Sequence, residues 1–185
     1  MSDKIKILGI AGSLRKASTN RGVLRAAAEL LPDGVEMEIF DLDGMPLFNE
    51  ELESDPPQIV REFREKVRVA DAVIIATPEY NYGVPGLLKN AIDWGSRPYG
   101  QSAWEGKPAA IMGASGGNIA TARAQYDLRK SMVFLNMFPL NKPEVMIGGS
   151  RDKFDAEGNL TDETTRDHIA KAVAALVEWT RKLSS

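Results

Sequence analysis

A doubly wound α/β domain, one parallel sheet with helices on both faces, is the fold class that this sequence predicts. Short apolar runs alternate with longer stretches of helical periodicity along the whole chain. The turns from run to helix are short, as parallel strands joined by helical crossovers require. Right-handed crossovers leave few other arrangements. The 185 residues suit a single domain spanning 1–185.

The first strand is expected at residues 4–10, where an apolar run stops at Ala11-Gly12-Ser13. Ser18 then opens a helix to about Leu31, with Val23, Leu24, Ala27, Leu30 and Leu31 at helical spacing and Pro32 and Gly34 ending it. Alternation over 35–41 marks a second strand. Residues 43–55 read as a loop anchored by Met45, Leu47 and Phe48. Ser54 or Asp55 is expected to cap the next helix, with Pro56 and Pro57 in its first turn and Ile59, Phe63 and Val67 recurring every four residues. Residues 72–77 form a buried third strand, 85–94 a helix, and 108–114 a fourth strand. A long helix is expected over 119–135 and a fifth strand at 143–147. Thr161 should cap the last helix, 163–178, whose apolar stripe is Ile169, Ala172, Val173 and Leu176.

Composition removes several function classes. The chain has no cysteine, which excludes disulfides, thiolate metal sites, iron–sulfur ligation and a cysteine nucleophile. A net charge of −3 with no basic block gives nucleic acid nothing to hold. No apolar run reaches the roughly 18 residues of a membrane span. The N-terminal apolar run is broken by Lys6 and is shorter than the about 7–15 residues of a secretory signal. A cytoplasmic protein without membrane insertion is expected.

In open α/β sheets, ligands lie beyond the carboxyl ends of the strands, where strand order reverses. Three turns at that end are rich in chemistry. Gly12-Ser13-Leu14-Arg15-Lys16-Ala17-Ser18-Thr19-Asn20 sets hydroxyls, an amide and a guanidinium before a helix N-terminus, a natural anion site. A phosphate monoester suits it, with Arg15 supplying charge-assisted hydrogen bonds. The glycines run Gly9-x-x-Gly12 without a third, and no GKS or GKT occurs, so neither a dinucleotide fingerprint nor a Walker loop is present. The second turn, from Thr77 to Gly86, places Glu79, Tyr80, Asn81 and Tyr82 between prolines and glycines. A flat ring system needs such a surface, with donors and acceptors beside aromatic faces. The third, Ala114-Ser115-Gly116-Gly117-Asn118, lets backbone approach a ligand closely.

Gly12-Ser13-Leu14-Arg15, Ser18 and Asn20, with Pro78-Glu79-Tyr80-Asn81 and Pro85-Gly86-x-Leu88-Lys89-Asn90-Ala91-Ile92-Asp93-Trp94, resemble the NAD(P)H-dependent FMN reductase family. Within it the chain is most similar to bacterial quinone and chromate reductases. Ser115-Gly116-Gly117, Arg123-Ala124-Gln125-Tyr126, Leu128-Arg129 and Asn141-Lys142-Pro143-Glu144 extend the likeness over nearly the whole chain. The resemblance implies a flavodoxin-like fold with a five-stranded parallel sheet in the order 2-1-3-4-5. It implies FMN as cofactor and NADPH or NADH as co-substrate. Ser13, Arg15, Ser18 and Asn20 would bind the FMN phosphate. Pro78, Glu79, Tyr80 and Asn81 would line the isoalloxazine, with Ser115, Gly116 and Gly117 along its other side. Relatives often have glycine where this chain has Ala120 and Thr121, so an altered helix start is expected there.

The implied activity is a ping-pong oxidoreductase passing a hydride from NAD(P)H through FMN N5 to quinones, with ferric complexes, chromate or nitro and azo compounds as further acceptors. Release of free reduced flavin to a monooxygenase and a flavodoxin-type electron carrier are the rivals. No acid or base catalyst stands out. Arg97, among Trp94, Pro98, Tyr99 and Trp104, is a candidate for tuning the flavin or holding an anionic acceptor. His168 reads as structural or solvent-facing, Asp41 as a poor match to a ribose-binding acid, and Asp152–Asn159 as a solvated loop rather than a calcium site. The 119–135 helix has two apolar faces: Ile119, Ala122, Tyr126 and Val133 against Leu128, Met132 and Leu135. One serves the core; the other suggests a homodimer or homotetramer, and in the family Arg123, Tyr126 and Glu144 lie near an interface.

Overall fold

A computed structural model describes residues 4–184. The opening residues of the N-terminal stretch read above, 1–3, lie outside the described residues. Strands β1 (Ile5–Ala11), β2 (Val35–Phe40), β3 (Ala72–Ala76), β4 (Pro108–Ala114), β5 (Phe138–Pro139) and β6 (Val145–Ile147) form one wholly parallel sheet. Helices α1 (Thr19–Glu29), α2 (Gln58–Val69), α3 (Gly86–Gly95), α4 (Ala122–Phe134) and α5 (Glu163–Leu183) cover it. The spatial order β2-β1-β3-β4-β5 reverses direction between β1 and β3, which is the flavodoxin-like arrangement.

The sheet has six strands rather than five, because its last position is shared. β5 pairs with the start of β4 and β6 with its end. Pro139 and Pro143 have no N–H to give a ladder, so the chain leaves the sheet between them and rejoins at Val145. Two hydrophobic layers sandwich the strands. Val23, Leu24, Ala27, Ile169, Val173 and Leu176 bring α1 and α5 onto one face. Phe63, Val67, Leu88, Leu128 and Met132 bring α2, α3 and α4 onto the other.

Helix starts corrected three expectations. Neither Ser54 nor Asp55 caps α2, which begins only after Pro57. A residue before proline is pushed out of the helical region, so Pro56 cannot join the helix; Asp55 pairs with Arg61 instead, at 3.1 Å. Asp162, not Thr161, caps α5 by accepting the Thr165 N–H at 2.7 Å. Thr161 gives its own N–H to the Lys153 carbonyl. α4 starts at Ala122 rather than Ile119, since Ala120 sits at φ +56°, outside any right-handed helix.

The Leu88–Trp94 stretch is scaffold. Asn90 donates to the Pro46 carbonyl and accepts the Phe48 N–H, while Trp94 Nε1 donates to the same carbonyl. Together they pin the 42–50 loop to α3. No helix among the described residues is long and apolar enough to cross a membrane.

Candidate functional site

The three turns singled out from the sequence converge at the carboxyl ends of β1, β3 and β4, around a pocket of about 600 Å³. Ser13, Arg15, Ser18, Asn20, Pro78, Glu79, Tyr80, Ser115 and Gly116 line it. Asn81 and Gly117 lie beside it and do not line it.

The first turn is held by its own polar groups. Ser18 is the cap of α1, its Oγ accepting the Arg21 N–H, and Ser13 Oγ accepts the Arg15 N–H at 3.3 Å. Both serines are buried, and in these bonds both hydroxyls serve as acceptors, so each keeps a proton to donate. The N–H groups of the first helical turn have no intrahelical acceptor. Arg15 projects from this cluster, exposed. Arg21 braces the turn from behind, donating to the Ser13 carbonyl and pairing with Asp41 at 2.6 Å. Asp41 thus has Arg21 as its ion-pair partner. The donors therefore suit a phosphate.

Asn20 does something the sequence did not suggest. Its amide is 98% buried and closes a two-bond ring with Ala114: Nδ2 donates to the Ala114 carbonyl at 3.0 Å, and Oδ1 accepts the Ala114 N–H at 2.9 Å. It extends the β4 ladder and ties α1 to the third turn. One Nδ2 hydrogen and the backbone N–H remain for a ligand.

In the second turn, Tyr80 and Gly83 exchange backbone hydrogen bonds around Asn81 (φ +50°) and Tyr82 (φ +69°). Two central residues at positive φ define a type I′ turn, for which asparagine is favoured and tyrosine is not. Holding Tyr82 there costs about 1–3 kcal/mol. Arg123 offsets it, with its guanidinium 3.6 Å from the Tyr82 ring centroid. Glu79 is the anchor. Its carboxylate accepts from Arg123 Nε and from the Ala124 N–H at the start of α4. Desolvation opposes the charge on Arg123, but its bonds to Glu79 and Tyr82 hold its pKa above the ordinary value. Glu79 thus fixes the turn with its side chain. Tyr80, 54% exposed, offers an aromatic face at the rim.

The third turn is stitched to the strand beside it: Ser115 donates to the Ile147 carbonyl, and Ser150 donates to the Ser115 carbonyl. This brings in a fourth wall, part of which, Asp152–Asn159, the sequence predicts to be a solvated loop. Ser150, Arg151, Phe154, Asp155 and Ala156 line the pocket. The 154–160 hairpin docks on α1, where Arg25 holds the Gly158 carbonyl and Asn159 Oδ1. One signal was available: this turn also follows a strand, so topology puts it at the same end of the sheet.

Asp155 shapes that hairpin by accepting the Asn159 N–H at 2.7 Å and its Nδ2 at 3.0 Å. These bonds hold its pKa below the usual 3.8. A depressed carboxylate contributes stability above its ordinary pKa and loses it as pH falls through the folded value. The melting-temperature difference between the native chain and Asp155→Ala should therefore be constant above about pH 5 and shrink with acidification below it. A difference unchanged down to pH 3 would remove Asp155 from this role.

Two further expectations concern remote residues. Arg97 does not reach the pocket. It pairs with Glu50 at 3.6 Å and Glu53 at 3.5 Å, lies over the Phe48 ring, and lines a separate groove with Tyr99 and Phe134. It therefore stands outside the pocket that the three turns form. His168 is exposed on α5. Among the described residues no group of His, Cys, Asp or Glu could hold a metal ion.

The model of a family described as NADPH-dependent FMN reductase matches residues 5–152. An NAD(P)H-dependent FMN reductase of Pseudomonas aeruginosa is 53% identical, over 99% of both chains. A quinone reductase of Pseudomonas putida is 45% identical, over 98% of this chain and 97% of its own. Among solved structures, FerB of Paracoccus denitrificans, a flavoenzyme NAD(P)H:(acceptor) oxidoreductase, superposes with a TM-score of 0.88 at 36% identity, over 96% of this chain and 98% of its own.

Proposed function

The chain belongs to the NADPH-dependent FMN reductase family, and from that premise we propose that its pocket holds FMN for the two-electron reduction of quinones by NAD(P)H. When bound, FMN supplies the redox chemistry, taking a hydride from the nicotinamide and passing the electrons to the acceptor. The residues bind and orient. The Ser13 and Ser18 hydroxyls, the α1 N-terminus and Arg15 hold the phosphate. Asn20 keeps the first and third turns at fixed separation. Pro78, Tyr80, Ser115 and Gly116, which line the pocket beyond the first turn, would hold the ring, while Glu79 and Arg123 fix the second turn. Asn81 and Gly117 act at the margin.

One observation carries this reading: buried hydroxyls and a guanidinium at a helix N-terminus share a pocket with the exposed aromatic turn. The purified protein should show an FMN spectrum that NADPH bleaches anaerobically, without a partner reductase, and that a stoichiometric quinone restores. A colourless protein that takes up no FMN would overturn the reading. Bleaching only through an added reductase would favour an electron carrier, and loss of the flavin on reduction a supplier of free reduced flavin.

A homodimer or homotetramer belongs to the same proposal. Leu128, Met132 and Leu135 are buried, whereas Ile119, Tyr126, Val133 and Phe134 face outward. Tyr126 donates to Glu144 at 2.8 Å beside this face, and that bond raises the Tyr126 pKa. Sedimentation should find the native chain associated and Val133→Asp dissociated. A single domain acting in the cytoplasm, where reduced nicotinamide is held, completes the proposal.

A further inference from the structure

Two guanidiniums line the pocket, and only one is needed for a phosphate. Arg15 stands on the first turn, next to the α1 N-terminus. Arg151 stands on the opposite wall, in a single 3₁₀ turn (Ser150–Asp152) that follows Gly149 at φ +58°. Its position is set by the backbone, since Ser150 donates to the Ser115 carbonyl and Asp152 to the Gly149 carbonyl. Arg151 Nε lies 3.8 Å from the place where a Cβ on Gly116 would be. The guanidinium therefore lies beside the third turn, at a residue that has no side chain to shield it from the pocket.

Nothing within the described residues claims this charge. No carbonyl or carboxylate accepts a hydrogen bond from the Arg151 side chain, and Asp155, the acid on the same wall, is engaged with Asn159. Elsewhere on the site the basic groups are spoken for: Arg21 by Asp41, Arg123 by Glu79, Arg25 by the hairpin. An exposed arginine beside a ligand pocket, held at its backbone and free at its head, is placed to meet a charge on the ligand. The phosphate, with about −1.5 to −2 charges, is matched at the first turn by Arg15 and the positive end of α1. On the FMN reading, the third turn, whose Ser115 and Gly116 line the pocket, would lie along the ring.

Resting on the FMN reading, we infer that Arg151 contacts the flavin at its ring end and stabilises the reduced cofactor in preference to the oxidised one. Reduction adds two electrons and, at neutral pH, fewer than two protons, so the ring gains negative charge. A cation within about 4–6 Å favours the charged form of a group. Arg151 takes the tuning role that position denies to Arg97.

The test compares the native chain with Arg151→Ala and Arg151→Lys. Each apoprotein is titrated with FMN and with dithionite-reduced FMN, and the two-electron potential of each holoprotein is measured against a reference dye. Because Arg151 is exposed and its side chain unpartnered, all three should melt at similar temperatures. Arg151→Ala should bind oxidised FMN as the native chain does and reduced FMN about tenfold more weakly. That ratio corresponds to a potential lower by about 30 mV for a two-electron couple. Arg151→Lys, which keeps the charge, should recover most of the difference. Equal weakening of both forms would make Arg151 one more oxidation-blind ligand and overturn the inference, as would an unchanged potential. If the native chain itself binds no FMN, the functional reading fails instead.

Discussion

Replacing Asn20 by alanine is expected to lower the melting temperature by about 6–12 °C and FMN affinity at least tenfold. The side chain is 98% buried and satisfies both backbone groups of Ala114, itself buried at the end of β4. Alanine leaves that N–H and that carbonyl without partners, and each buried unsatisfied group costs about 1–3 kcal/mol. A total of about 3 kcal/mol, at about 2–4 °C per kcal/mol for a chain of this size, gives the shift. Alanine is the better helix former, so helix propensity works against the loss and cannot explain it. Affinity falls because the same bonds hold the first and third turns together. Asn20→Asp keeps an acceptor for the Ala114 N–H but turns a carboxylate toward its carbonyl and puts negative charge into the anion turn. It should bind FMN even less well than the alanine variant. Differential scanning calorimetry with FMN titration checks both. A shift under about 2 °C would mean that the bridge contributes little.

The second large effect is expected from a single methyl group. A Cβ on Gly22 would lie 1.9 Å from the Gly158 carbonyl oxygen and 3.2 Å from Phe154 Cδ1. The first of these is backbone, so it cannot swing aside. Gly158 is itself at φ +79° and packs on the Ala17 carbonyl, so α1 and the 154–160 hairpin touch main chain to main chain. Gly22→Ala must push the hairpin away from α1, and Phe154, Asp155 and Arg151 move with it. Overpacking of this kind costs about 1–3 kcal/mol, while glycine to alanine inside a helix returns about 1 kcal/mol. Net stability should change by less than about 2 kcal/mol while FMN binding weakens ten- to a hundredfold. That dissociation of effects is the diagnostic. Unaltered FMN affinity would show that the hairpin is no part of the pocket.

Much of the site was legible because its logic is local. A strand, a Ser-rich turn and a helix start occupy consecutive residues, so an anion turn can be read from spacing. Topology then told which turns share an end of the sheet. What escaped were contacts between segments distant in sequence. Asn20 reaches Ala114 across 94 residues, and no local pattern distinguishes an amide that bridges backbone from one that binds a ligand. Glu79 read as a ring-lining residue, yet its carboxylate turns to Arg123 and the α4 N-terminus. Asp152–Asn159 reads as a solvated loop because its acids miss the spacing of a calcium site; its docking depends on a glycine contact with α1 that this spacing does not encode. Arg97 looked close to the flavin because it follows the right helix, but α3 carries it along the sheet, away from the carboxyl ends of the strands.

The fold was legible to a similar depth. Apolar runs, helical spacing and turn residues located the five α-helices and the first four strands, since burial repeats at 3.6 residues or runs unbroken through a covered sheet. Boundaries moved where backbone chemistry overrode the pattern. Pro56 delayed α2, Ala120 at positive φ delayed α4, and Pro139 and Pro143 divided the last sheet position in two.

On the proposed reading, the first turn holds FMN by its phosphate. Titrating the apoprotein in parallel with FMN and with riboflavin tests this most directly, because the two ligands differ only in that group. FMN should bind at least a hundredfold more tightly, about 2.7 kcal/mol, and Arg15→Ala should erase much of the advantage. Equal affinities for FMN and riboflavin in the native chain would mean that the first turn does not hold the phosphate.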